Sequence, residues 1–138
     1  MSEMDKDLRS IQEARTMVSK ARYAQRIWFN ASQAEVDKVC AAMADAAFQA
    51  SERLGLMAHE ETGFGVAEHK TLKNQFGSKH VWDSIKDTKT VGIVHEDKQN
   101  GYFEVAWPMG VVAALIPSTN PTSTVMNKTL MSVKARNS

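Results

Sequence analysis

Met109-Gly110-Val111-Val112-Ala113-Ala114-Leu115-Ile116-Pro117-Ser118-Thr119-Asn120-Pro121-Thr122 decides how the chain folds. Met109–Ile116 is an unbroken apolar run, the length of one strand and too short to cross a bilayer. Apolar runs without alternation suit a strand covered on both faces, as in a parallel sheet. Pro117–Pro121 reads as a turn, with Asn120 and Pro121 as the N-cap and first residue of a helix. That helix is predicted over Thr122–Arg136, with Lys134 and Arg136 in its last turn, where cations complement the dipole. A strand followed by a crossover helix opens a βαβ unit, which requires a parallel partner strand. The sequence ends at Ser138, where that partner would begin. The stretch is therefore expected to be a fragment of a larger protein.

Upstream the pattern has period two. Val91, Ile93 and His95 alternate with smaller or polar residues, and Tyr102, Val105 and Trp107 form a second arm. Gln99-Asn100-Gly101 between them is a hairpin signal, because Asn-Gly tolerates positive φ. Pro108 cannot donate to a ladder and marks a strand change or an edge.

The first ninety residues read as helices. Leu8, Ile11, Ala14, Val18, Ala21 and Trp28 recur at intervals of three and four, which predicts a helix from about Met4 to Phe29. Ser32 and Glu35 form a candidate capping box. A second stripe follows through Val36, Val39, Cys40, Met43, Ala47, Ala50 and Leu54, and is broken at Gly63 and Gly65. A third helix is predicted over Ala67–Asp87, with Gly77 as its weak point.

Of the 138 residues, 43% are hydrophobic and 24% charged, a globular composition, and the net charge of +1 gives no footprint for nucleic acid or an anionic membrane. The N-terminus carries no apolar stretch of a secretory signal, and the single cysteine, Cys40, suits a reducing, cytoplasmic compartment. In the last quarter only Lys128, Lys134, Arg136 and Glu104 are charged, so that quarter is expected to be buried.

Few residues offer chemistry. His59, His69, His80 and His95 are too far apart along helices to share a metal, and no metal site is expected. His59-Glu60-Glu61-Thr62-Gly63 starts like a zinc-protease helix but has Gly63 where the second histidine belongs. Cys40, on an apolar stripe without basic neighbours, reads as structural rather than nucleophilic. Gly63-Phe64-Gly65 lacks a preceding strand, so it reads as a turn between helices rather than a phosphate loop. Asn120 reads as an ordinary N-cap. Capping would use its amide oxygen and leave the NH2 free, at a strand end suited to holding an oxyanion or a cofactor, so both roles stay open.

Trp107–Thr124 resembles the acylating, CoA-dependent branch of the aldehyde dehydrogenases, which includes one half of the bifunctional aldehyde-alcohol dehydrogenases. A Pro-x-Gly strand there runs into Pro-[Thr/Ser]-Thr-Asn-Pro-Thr-Ser-Thr, as Pro108–Thr124 does here, followed by Lys128-Thr129-Leu130 and Lys134-Ala135-Arg136-Asn137. Glu61-Thr62-Gly63-Phe64-Gly65 and Lys70-Thr71-Leu72-Lys73-Asn74 resemble two further segments of that family.

The resemblance implies an α/β, aldehyde-dehydrogenase-like fold. Residues 1–90 would form a helical segment, 91–108 a hairpin like the family's oligomerisation element, and 109–138 the truncated start of a dinucleotide-binding domain. It implies the conversion of a short-chain aldehyde, CoA and NAD+ to acyl-CoA and NADH through a cysteine thioester, in a cytoplasmic homo-oligomer without nucleic-acid or membrane partners. Asn120 would stabilise the oxyanion, and Thr119, Asn120, Pro121, Thr122, Ser123 and Thr124 would border the cofactor at the helix N-terminus. The family's nucleophilic cysteine and assisting acid lie far downstream of the Asn-Pro motif, and no cysteine follows Cys40 here. Residues 1–138 alone are therefore expected to be inactive. The alternative is a non-catalytic helical module that pairs with a full-length homologue through its hairpin.

Overall fold

The computed structural model describes residues 5–138. Six α-helices, α1 (Lys6–Trp28), α2 (Gln33–Gln49), α3 (Ser51–Thr62), α4 (Ala67–Gln75), α5 (Val81–Ile85) and α6 (Pro121–Lys134), accompany a two-stranded sheet, β1 (Gly92–Asp97) and β2 (Tyr102–Ala106). A π-turn, Phe76–His80, joins α4 to α5. No described helix is long and apolar enough to cross a membrane.

α1 follows its periodicity, and Met4, where the pattern starts it, lies outside the described residues. The first two-thirds of its stripe is nevertheless uncovered, for Leu8, Ile11 and Val18 are all exposed. Only its last turns are anchored. Gln25 Nε2 donates to the Arg136 carbonyl at 2.8 Å, and Trp28 Nε1 to that of Val133 at 3.2 Å.

The predicted capping box is present at the start of α2. Glu35 Oε2 accepts from the Ser32 N–H and hydroxyl at 2.8 and 2.7 Å, and Ser32 Oγ accepts from the Glu35 N–H at 3.3 Å. Hydrogen bonds from Ser32 hold the Glu35 carboxyl below its ordinary range. The second stripe does not form one helix. The chain turns at Ala50, so Leu54 lies on α3, and Val36, Cys40 and Ala44 carry the buried face. α3 stops at Gly63, whose left-handed conformation (φ 65°) closes the helix without a Cβ penalty.

The third predicted helix is a rod broken by the π-turn rather than a plain α-helix. A Cβ on Gly77 would lie 2.8 Å from the Ser123 carbonyl oxygen, so the glycine lets α6 press against the rod. Widened turns of this kind recur beside functional sites.

β1 and β2 pair antiparallel, with Asp97 opposite Tyr102 and a bulge between Ile93 and His95. The loop between them holds four residues rather than a two-residue Asn-Gly turn. Asp97 Oδ1 accepts from the Gln99 and Asn100 N–H groups, both at 3.0 Å, and Gly101 adopts positive φ. Nearly every position of both strands is exposed.

Met109–Ile116 departs furthest from expectation. It pairs as no regular strand, and Met109 and Leu115 are 91% and 94% exposed. A doubly covered strand needs parallel neighbours, and the described residues supply one residue of one neighbour. The Ser138 N–H donates to the Gly110 carbonyl at 3.2 Å and the Ser138 carbonyl accepts from Val112 at 2.7 Å. Bonds from one residue to two positions flanking its opposite number are the parallel pattern. The βαβ unit is thus begun.

Charge, too, runs against the expected burial of the last quarter. Its apolar run is exposed, while Lys134 and Arg136 are buried. α6 ends at Lys134, so Arg136 is no helix-capping cation. Its guanidinium donates instead to the carbonyls of Phe29 and Ala106, at 2.8 and 2.9 Å, tying α1 and the hairpin to the end of α6. The core of Ala31, Val36, Cys40, Ala44, Trp82 and Leu130 lies where α2, α5 and α6 meet.

Candidate functional site

One helix grips the start of another. α4 places Lys70, Lys73 and Asn74 on one face by their spacing of three and four, and all three reach the turn that opens α6. Lys70 Nζ donates to the Thr119 carbonyl at 2.9 Å, and Lys73 Nζ to Asn120 Oδ1 at 2.9 Å. The Thr122 hydroxyl donates to Asn74 Oδ1 at 2.7 Å, while Asn74 Nδ2 donates to the Ser51 carbonyl at 3.0 Å. Lys70 is 4% exposed yet meets no carboxylate among the described residues.

Asn120 occupies the N-cap position without capping. Its side chain makes no cap hydrogen bond, although its carbonyl accepts from the Thr124 N–H at 3.2 Å. The expected use of its amide oxygen therefore falls to Lys73 instead of the helix. The other amide end has one long contact, 3.5 Å from Nδ2 to Thr119 Oγ1, and remains able to donate. With Pro121 at the first turn and no acidic residue there, the positive end of α6 is uncompensated.

A groove of about 700 Å³ runs between α4, the π-turn and α6. Asn120, Ser123 and Thr124 line it together with Lys73, His80 and Lys128. Of the six residues singled out by sequence, Thr122 turns away to Asn74 and Thr119 offers its carbonyl to Lys70. In the sequence Lys70, Lys73 and Asn74 stand out by resemblance alone. Their i, i+3, i+4 spacing was the available signal, but nothing in sequence tells which turn they face.

Cys40 is buried in the core, and burial pushes its thiol up to about 11, with Lys134 pulling it down and Asp37 adding to the rise. No cluster of metal-ligating side chains exists among the described residues.

No family model matches the chain. It is 39% identical over 128 residues to the bifunctional aldehyde-alcohol dehydrogenase AdhE of Escherichia coli K12, covering 93% of this chain and 14% of that protein. It is 39% identical over 121 residues to the acetylating succinate-semialdehyde dehydrogenase of Clostridium kluyveri, covering 88% of this chain and 27% of that one. The crystal structure of an acetylating aldehyde dehydrogenase from Geobacillus thermoglucosidasius superposes on 99% of this chain and 30% of its own, with 53% identity and a TM-score of 0.96. The chain thus spans less than a third of each of these relatives. Over almost its whole length the chain matches acylating aldehyde dehydrogenases in both sequence and fold, and it corresponds to a part of them.

Proposed function

We propose that the protein carrying this segment interconverts a short aldehyde, CoA and NAD+ with acyl-CoA and NADH, and that Asn120 donates from Nδ2 to the oxyanion. The observation that carries this reading is the division of labour in the Asn120 amide, its oxygen held by Lys73 and its NH2 left to donate. A donor fixed before the reaction stabilises developing charge without reorganising at that moment.

The uncapped start of α6 suits the diphosphate of NAD+. Thr119–Thr124 would border it there, with main-chain N–H groups and the dipole favouring an anion. NAD+, when bound, supplies the hydride acceptor. The chain's own residues position: Lys70 and Asn74 hold the turn, and Gly77 lets α6 sit close to the rod. On this reading residues 109–138 open the dinucleotide-binding unit. The exposed hairpin within 91–108 joins subunits of a cytoplasmic homo-oligomer. Cys40 serves packing, and the nucleophile lies outside residues 1–138, because a buried thiol with a raised pKa offers little thiolate.

The test is NADH formation from acetaldehyde by the full-length protein. Turnover should require both CoA and NAD+ and survive Cys40→Ser. Turnover without CoA, or its loss in Cys40→Ser with folding intact, would overturn the reading.

A further inference from the structure

We infer that Lys73 is a positioning residue for Asn120: its ammonium decides which end of the Asn120 amide is presented as a donor. The inference rests on the oxyanion role proposed above. The two ends of an asparagine amide have nearly the same shape, and a half-turn about its last bond exchanges donor for acceptor. An ammonium has three donors and no acceptor, so only Oδ1 can face it. The bond from Lys73 Nζ, at 2.9 Å, therefore forces Nδ2 to the opposite side. The remaining neighbour cannot make this choice. Thr119 Oγ1, at 3.5 Å, is a hydroxyl that can donate as well as accept.

Around this contact the backbone is held independently. Lys70, one turn earlier on α4, fixes the Thr119 carbonyl, and Asn74 fixes the Thr122 hydroxyl. Removing the Lys73 ammonium thus frees the amide to rotate while the turn stays in place. The cation also polarises the amide, making its N–H groups better donors as negative charge grows opposite them. Both effects act on the chemical step, whereas attraction of the ammonium for the NAD+ diphosphate would act on binding and read out in KM.

The test is made in the full-length protein. Lys73→Met should lower kcat by about ten- to a hundredfold, the usual cost of losing an outer partner that orients a functional group. KM for CoA and the melting temperature should stay unchanged, KM for NAD+ should rise less than kcat falls, and Lys73→Arg should restore most of the loss. Combined with Asn120→Ala, Lys73→Met should cost nothing further, because it acts through a group already gone. A crystal structure of Lys73→Met should show the amide turned or in two orientations. Wild-type kcat in Lys73→Met, or losses that multiply in the double variant, would overturn the inference and leave the oxyanion role of Asn120 standing. Unchanged kcat in Asn120→Ala would overturn that role, and with it the catalytic consequence of Lys73.

Discussion

Lys134 Nζ lies 2.6 Å from Asp37 Oδ1, joining the last turn of α6 to α2. The Lys134 side chain is 4% exposed and that of Asp37 36% exposed. The ammonium also donates to the Lys86 carbonyl at 2.9 Å and lies 5.5 Å from the Trp82 ring centroid. A cation is thus buried at the edge of the core with one carboxylate to balance it.

Removing only that carboxylate strands a buried charge. Asp37→Ala should destabilise the fold by about 2–3 kcal/mol, somewhat below the usual cost of breaking a fully buried pair because Asp37 remains partly in water. Lys134→Met should cost less, since it removes the buried charge and leaves an acid that water can solvate. Urea unfolding of the two variants checks the order. A larger loss in Lys134→Met would mean that the ammonium's bonds to Lys86 and Trp82, rather than its charge balance, hold this corner.

The close approach of α6 to the π-turn makes Gly77 sensitive. A methyl there would meet the Ser123 carbonyl oxygen at 2.8 Å, and a backbone atom cannot swing aside as a side chain would. Gly77→Ala should cost about 1–3 kcal/mol, the range for inserting a group into a packed contact. Because Ser123 lies in the first turn of α6, the displacement should reach Asn120. Thermal unfolding measures the first effect and the spacing of α4 and α6 in a crystal structure the second.

Acid should loosen the start of α2 through Glu35. Its folded-state pKa is lowered, chiefly by the Ser32 hydroxyl and then by the Ser32 N–H, from an ordinary value of 4.5. A depressed carboxylate contributes stability above its unfolded pKa and loses it as pH falls through the folded one. The melting temperatures of the parent and Glu35→Gln should therefore differ near neutrality and converge below about pH 4.5. Parallel curves through acid would show that ionisation of Glu35 adds nothing to the cap, and coincident curves near neutrality that the amide caps as well as the carboxylate.

Legibility in the sequence followed the range of the forces involved. The capping box at Ser32 and Glu35, the stop at Gly63 and the helical periods are local, and each was readable where it stood. The parallel contact of Ser138 with residues 110–112 was readable as a requirement of βαβ geometry. Burial was not readable for Met109–Ile116 or α1. Hydropathy states what a stretch would cover, and the covering groups are not among these residues. Lys134 and Arg136, read in sequence as cations of a last helical turn, are buried through contacts that no local pattern announces. Their partners, Asp37, Phe29 and Ala106, are far away in sequence. Asn120 was found by pattern, but its partner Lys73 lies on a different helix, and pattern alone assigned its oxygen to the wrong acceptor role.

Aspartate at position 120 separates folding from chemistry in the full-length protein. Asn120 does not cap α6 through its side chain, so Asn120→Ala should cost little of the roughly 1 kcal/mol usual for a lost cap. Asn120→Asp should be at least as stable as the parent. Its carboxylate can cap the first turn, lies at the positive end of α6 and forms an ion pair with Lys73 in place of the 2.9 Å hydrogen bond. Both variants lose the NH2 donor, and the aspartate also sets a negative charge where the oxyanion would develop. Each should lower kcat by roughly a hundred- to a thousandfold, the cost of one oxyanion donor, with the aspartate the worse of the two. Turnover lost at full stability in Asn120→Asp would support the donor role. Near-normal kcat in that variant would refute it, because a carboxylate held against Lys73 has no proton to give.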